Sequence, residues 1–325
     1  KLAFFDGQAL WKDLIDFQLV EKKTSYGNFL TYKDLDENLY IALQKTAQIL
    51  PDKVAIIDDD HKSYTFKEFL LLVDQFSDYL EKDLHLSHGQ HVGCLMFNSI
   101  EFCVSFIAII KLGAVFVPFQ TKQRKEELTR LMYNSELACI IVDEQLKNLV
   151  DDGALAQVNK VVARSQGENF GLPVNRLEPY QTGVSAGKAD DDTILIFTSG
   201  TTSLSKGAVL TNLNIMHAAV SYQKILRITD QDSTLIATPI YYVTGLIALL
   251  GLFITTGGTI HLHKFFDAKR VLQTIKDHNI TFFHASPTIF FLLLDASKDF
   301  PELPSLRAFA CGAANMPPEK ILELH

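Results

Sequence analysis

A chain of 325 residues, 47% hydrophobic and 21% charged, has the length of about two domains and is too apolar to be disordered over most of it. Its formal net charge of -8 argues against a nucleic-acid binder, whose affinity rests on Lys and Arg neutralising phosphates. The four cysteines, Cys94, Cys103, Cys139 and Cys311, form no Cys-x-x-Cys pair and sit among apolar residues, the pattern of buried reduced thiols in a cytoplasmic protein.

Residues 1–35 are weakly periodic and form an N-terminal extension of no evident role. A helical pattern runs from Asn38 to near Pro51, and Val54–Ile57 is expected as a strand. Thr65 and Glu68 have the spacing of a capping box, with a helix from Phe66 to Leu80. Val92–Met96 is a second strand, Glu101–Leu112 a buried helix, and Gly113 stands where a left-handed cap belongs. Strand 115–118, a helix over 125–133 and strand 139–142 follow. Lys122, Arg124 and Lys125 are followed at once by Glu126 and Glu127, so this basic run is a solvated helix face.

Residues 164–192, rich in Gly, Pro, Asn, Ser and Asp, are a long connection. Alternation then resumes: strand 193–197, a helix from Asn212, strand 233–237, helices 243–254 and 267–277, strand 280–283, helix 287–294 and strand 306–311. This alternation predicts an α/β fold of two lobes, with largely parallel sheets covered by helices. The lobes are expected at 36–190 and 191–325, the second incomplete at its C-terminal end. Residues 233–260 carry no charge over a length that could span a bilayer. Pro239, Gly245, Gly251, Gly257 and Gly258 interrupt them, so strand, buried helix, Gly-Gly turn and strand fit better. The sequence opens on Lys1 without a basic, apolar leader and stops at His325 in what reads as mid-helix, as a piece of a longer chain would.

The segment Phe197-Thr-Ser-Gly-Thr-Thr-Ser-Leu-Ser-Lys-Gly207 leaves the end of a buried strand. It offers six hydroxyls, two glycines that permit close backbone approach, and the mobile positive charge of Lys206. A polyphosphate needs this combination: N–H groups and hydroxyls donate to its oxygens while an ammonium balances the outer charge. A Ser/Thr-rich surface loop would have the same composition, and composition alone leaves the two even. A Walker loop fails at two positions, because Ser205 stands where its second Gly belongs and Gly207 follows the lysine.

Thr198-Ser-Gly-Thr-Thr202 with Lys206-Gly207 resembles the signature Thr-Ser-Gly-Thr-Thr-Gly-x-Pro-Lys-Gly of the adenylate-forming superfamily of acyl- and aryl-CoA ligases, luciferases and adenylation domains. It departs from that signature at Ser203 and Ser205. Asn98-Ser-Ile-Glu-Phe102 with 111–118, Pro239-Ile-Tyr-Tyr-Val-Thr-Gly245, Ser286-Pro287-Thr288 and Cys311-Gly-Ala-Ala-Asn-Met-Pro317 resemble further family segments, in the family's order. Tyr242 stands where His is common. The resemblance runs from about Asn38 to the end and is greatest to fatty-acid and other acyl-CoA ligases.

The resemblance implies that Thr198, Ser199, Gly200, Thr201, Thr202 and Lys206 hold the β- and γ-phosphates of ATP with Mg²⁺. A carboxylate, a fatty acid by first choice, would attack the α-phosphorus, and coenzyme A would take the acyl group from the adenylate. Tyr242, Gly245, Gly312, Ala313 and Ala314 are expected around the acyl and adenine pocket, although Tyr242 could equally be a core aromatic. No residue of this chain is assigned as a metal ligand. His284 and His217 are expected to be satisfied core histidines rather than bases. Amino-acid adenylating domains usually place Asp after the aromatic of the Pro239 region; Tyr242 there disfavours an ammonium-bearing substrate. An aryl acid, a non-catalytic nucleotide-binding module and a membrane-associated scaffold are the competing readings. Three family elements lie outside the 325 residues: the Tyr-Gly-x-Thr-Glu segment, the Thr-Gly-Asp segment and a C-terminal-domain lysine. Residues 1–325 by themselves are therefore expected to be inactive.

Overall fold

The computed structural model describes residues 19–151, 153, 155–164, 170–174, 185–198, 206–300 and 302–324. In chain order its strands are β1 (Leu19–Thr24), β2 (Gly27–Tyr32), β3 (Val54–Ile57), β4 (Ser63–Thr65), β5 (His91–Leu95), β6 (Val115–Pro118), β7 (Leu137–Asp143), β8 (Asn159–Ala163), β9 (Asp192–Thr198), β10 (Lys206–Thr211), β11 (Ser233–Ile236), β12 (Thr259–Leu262), β13 (Phe282–Ala285) and β14 (Ala308–Cys311). β1 and β2 form an antiparallel ribbon. The others build two six-stranded sheets, ordered β10-β9-β6-β5-β7-β8 and β14-β13-β11-β12-β3-β4. Both sheets are parallel except at one edge, where β10 runs antiparallel to β9 and β4 antiparallel to β3.

The division expected near residue 190 does not coincide with the division between the sheets. β3 precedes it yet pairs with β12, and β9 follows it yet pairs with β6. Local alternation orders the elements, whereas the neighbour each strand takes is decided by which edge its apolar faces can cover.

A layer of helices lies between the sheets. Leu39–Ile49, Phe66–Lys82, Ile100–Leu112 and Asn212–Leu226 contribute to one apolar cluster, together with Val92 and Ile141 of the first sheet and Ile236 and Phe282 of the second. Ile100–Leu112 is buried at all thirteen positions, ten of them apolar and three (Glu101, Ser105 and Lys111) polar, as a helix apolar nearly all round requires. Gly113 ends it at φ 71°, and a Cβ there would lie 2.4 Å from the His88 ring. The expected capping box opens Phe66–Lys82: the Glu68 amide donates to Thr65 Oγ1, and the Thr65 amide donates to Glu68. Lys111 is buried against Asp74 at 2.7 Å, and Tyr40 donates to the same carboxylate at 2.6 Å. This tie crosses three helices of the layer.

Opposite faces of the strands meet outer clusters. Leu137, Ile140 and Val142 of β7 pack against helix Lys125–Asn134, while Cys139 and Ile141 face the central layer. Phe283 and Ala285 of β13 pack against helices Ala268–Asp277 and Pro287–Ala296. The segment 233–260 folds as β11, a π-helix (Thr244–Gly251), one α-helical stretch (Leu252–Thr256) and the turn at Gly257 before β12. No described helix is long and apolar enough to cross a membrane.

The extension and the long connection both hold structure beyond the sequence expectations. The described part of the N-terminal extension is the ribbon β1–β2; Tyr26 donates to Asp192 at 2.5 Å, and the Tyr32 hydroxyl meets Ser221 at 3.0 Å. The long connection contains buried Phe170 and Leu172, and the Gly171 amide donates to buried Glu101. Cys94, Cys103 and Cys139 are free and buried, whereas Cys311 is only partly so.

Candidate active site

The carboxyl ends of β6, β9, β11, β13 and β14 converge on one cavity of about 620 Å³. Ligands of open parallel sheets bind in such crevices, beyond the strand ends. Pro118 and Phe119 follow β6, Ile196 and Phe197 end β9, Thr238–Thr244 follow β11, Ala285 and Ser286 follow β13, and Gly312 and Ala313 follow β14. Both sheets therefore contribute walls, which a split of the chain at residue 190 would not suggest. No charged side chain lies among the described lining residues.

Four of the expected phosphate-binding residues, Ser199, Gly200, Thr201 and Thr202, lie outside the described residues. Thr198 and Lys206 flank them. They are register partners across the antiparallel pair β9–β10, so the chain leaves and returns at one place, next to cavity-lining Phe197. Lys206 is exposed and begins β10; the sequence had placed it within the loop. The Lys-Gly pair reads as a loop, yet the Val and Leu after it complete an edge strand.

The expected pocket residues separate into three groups. Tyr242, Gly312 and Ala313 line the cavity. Tyr242 is 44% exposed, which excludes the alternative of a core aromatic. Its hydroxyl donates to Gln120 Oε1 at 3.4 Å, and its ring lies 4.8 Å from that of buried Tyr241. Ala313 holds φ +70°, a left-handed conformation that is strained for a residue with a Cβ. Gly245 is buried and does not line the cavity; a Cβ there would lie 2.6 Å from Ile240 Cα, so it lets the π-helix close onto the cavity wall. Ala314 is exposed and does not line the cavity either.

Asn98 was singled out by motif alone, and the structure gives it a specific task. Its Nδ2 donates to the carbonyls of Thr238 at 2.8 Å and His263 at 3.0 Å, and its Oδ1 accepts from the Ile240 amide at 2.8 Å. One side chain from the start of a central helix thus fixes the wall that carries Tyr241 and Tyr242. Sequence reading missed the polar liners Gln120, Gln123 and Thr238, and it marked Ser286 only as part of a family-like segment. Gln and Thr between apolar elements carry no distinctive signal, and only their arrival at one crevice marks them.

The two histidines differ. His217 meets Thr31 at 3.0 Å, so it has the partner expected, but it is only half-buried and not a core residue. His284 is buried at 4% exposure, but its Nδ1 has no hydrogen-bond partner, so it is a core histidine without being a satisfied one. Burial pushes its imidazole down to about 4, which keeps it neutral near pH 7.

The AMP-binding enzyme family model matches residues 43–325. A 2-succinylbenzoate–CoA ligase of Bacillus velezensis is 30% identical over 282 residues, covering 85% of this chain and 54% of that protein. A medium-chain fatty-acid–CoA ligase of Escherichia coli is 25% identical over 295 residues, covering 87% and 52%. The N-terminal domain of FACL13 from Mycobacterium tuberculosis superposes with a TM-score of 0.76 at 25% identity, over 89% of this chain and 73% of that one. The chain spans about half the length of the curated relatives it matches. The family match over residues 43–325 and the crevice where both sheets end lead to one assignment: the chain belongs to the family of AMP-binding enzymes.

Proposed function

We propose that the full-length protein activates a carboxylic acid with ATP, forming an acyl-adenylate and pyrophosphate, and then transfers the acyl group to coenzyme A. The observation that carries this reading is the position of Thr198 and Lys206, opposite one another at the strand end that opens onto a cavity with no charged side chain among its described lining residues. Lys206, with the hydroxyls and amides of 198–202, would hold the outer phosphates and balance the charge that develops on leaving pyrophosphate. Among the described residues no cluster of His, Cys, Asp or Glu could cage a metal ion. Mg²⁺ would enter on the phosphates, as it commonly does in nucleotide sites.

Gly312 and Ala313, which bring backbone to the cavity, and Tyr242 opposite them would position the acid. Little covalent work falls to the protein in the first step; alignment of carboxylate and α-phosphate dominates. The apolar lining of Phe119, Ile196, Val243 and Ile289 suits a fatty acyl or aryl group. The lack of an acidic side chain among the described lining residues disfavours an amino acid, whose ammonium would be left unpaired.

The test is acid-dependent ATP–pyrophosphate exchange by the full-length protein, followed by thioester formation on adding coenzyme A. Exchange with an apolar acid, slowed in Lys206→Ala, is expected. Nucleotide binding without exchange for any acid in a broad panel would leave a nucleotide-binding module in place of a ligase.

A further inference from the structure

His284 is a polar group in an apolar setting, and among the described residues its Nδ1 has no hydrogen-bond partner. It lies on β13 one residue before cavity-lining Ala285. Its ring packs against Tyr222 at 5.7 Å and Phe282 at 6.5 Å between centroids. Nδ1 is buried without a partner. Nε2 lies on the other side, toward Gly312, where an added Cβ would sit 3.4 Å from it, and Gly312 itself lines the cavity. A phenylalanine or leucine would fill the same slot without burying an unpaired nitrogen, which is unfavourable. His284 does not itself line the cavity; Gly312, which does, stands between its Nε2 and the cavity and places no side chain over that nitrogen.

We infer that His284 is a specificity-determining residue, whose Nε2, reached past Gly312, hydrogen-bonds a hydroxyl carried on the chain or ring of an otherwise apolar carboxylic acid. This rests on the acid-activating function proposed above and names the class of acid: hydroxylated, not plain and not dicarboxylic. A neutral imidazole nitrogen is a donor in one tautomer and an acceptor in the other, and a hydroxyl can answer either. A second carboxylate can only accept, and it would bring a negative charge into a cavity with no charged side chain among its described lining residues. The imidazole stays neutral near pH 7, because burial depresses its proton affinity.

The experiment measures acid-dependent pyrophosphate exchange by the full-length protein with matched sets of acids. Each set has one carbon skeleton, offered plain, hydroxylated at successive positions, and with a terminal carboxylate. Wild type should prefer one hydroxylated isomer over the plain acid by on the order of 10–100-fold in kcat/KM. His284→Phe should abolish that preference while accepting the plain acid at least as well, and His284→Gln should retain part of it. Gly312→Ala, whose methyl would stand over Nε2, should weaken the preference with His284 intact; this covers the case in which His284→Phe does not fold. The imidazole ¹⁵N resonance of His284 should move on adding the preferred hydroxy acid and stay put with the plain one. Equal use of plain and hydroxylated acids, a preference for the diacid, or an unchanged ranking in His284→Phe would overturn the inference while leaving acid activation standing. Failure of every acid to support exchange would remove the proposed function and this inference with it.

Discussion

Asn98 offers the sharpest test of how the site is held. Its side chain makes three hydrogen bonds, to the carbonyls of Thr238 and His263 and from the amide of Ile240, and it is 6% exposed. Replacement by alanine removes all three and leaves those backbone groups to find other partners beside fully buried Ile240. Each lost bond is worth roughly 0.5–1.5 kcal/mol net, and a buried group left unpaired adds more, so Asn98→Ala should destabilise the protein by about 2–4 kcal/mol. That is a large share of a typical folding stability of about 5–15 kcal/mol. Urea unfolding followed by circular dichroism measures the loss. Asn98→Asp keeps the acceptor for Ile240 but not the two donors, and should fall between wild type and alanine. Because Asn98 fixes the wall carrying Tyr242, KM for the acid should rise in Asn98→Ala at temperatures where the variant is still folded. A change in stability below about 0.5 kcal/mol would mean that water or rearranged backbone replaces the side chain, and the bracing role would be wrong.

Lys206→Ala should slow pyrophosphate exchange by the equivalent of roughly 1.5–3 kcal/mol, the worth of one charged contact, while the unfolding midpoint hardly moves because the residue is exposed; unchanged exchange would remove Lys206 from the site. Tyr242→Ala should shift preference toward bulkier acids in graded steps of about 1–3 kcal/mol per methylene equivalent, and a panel of acids that keeps its ranking would show that Tyr242 lines the cavity without selecting. Gly245→Ala would press a methyl to 2.6 Å from Ile240 Cα and 2.7 Å from its carbonyl oxygen, which are backbone atoms that cannot swing away. A loss of about 1–3 kcal/mol in urea unfolding is expected, and a neutral result would mean that the π-helix shifts freely. Burial pushes His261 (with help from His278 and His263) and His284 down to about 4 from the ordinary 6.5. Their contribution to stability is present in full above pH 6.5 and is lost as pH falls toward 4, by up to about 3 kcal/mol each. His284→Phe should flatten the acid limb of a stability–pH curve by its share, and an unchanged limb would mean that the imidazole is hydrated in the folded state.

Much of the local structure was legible in the sequence because its determinants are local. The Thr65–Glu68 box, the left-handed Gly113 and the apolar stretch 102–110, broken only by Ser105, each act over a few helical turns, and all three formed as read. So did β3 and β6, whose short apolar runs end at turn residues or proline. The phosphate-loop resemblance marks Thr198 and Lys206 from the sequence alone. β10 was hidden because Lys206-Gly207 carries the signal of a loop, and β8 because Asn159–Ala163 borders a stretch whose composition reads as connection.

Only the tertiary structure decided which strands became neighbours. Pairing of β3 with β12 and of β9 with β6 joins residues far apart in sequence, and a parallel strand carries no local mark of its partner. The same crossing brings the ends of both sheets to one crevice, where Gly312 and Tyr242 meet Phe119 and Phe197. Residues resembling family segments separated on that basis: Gly312 and Ala313 reached the cavity, Gly245 became the close approach behind its wall, and Ala314 faced outward. His284 makes the same point from the other side. Its apolar neighbours in sequence mark it as buried, and whether a buried nitrogen has a partner depends on the groups the fold sets across from it, here Tyr222, Phe282 and a glycine without a side chain to offer.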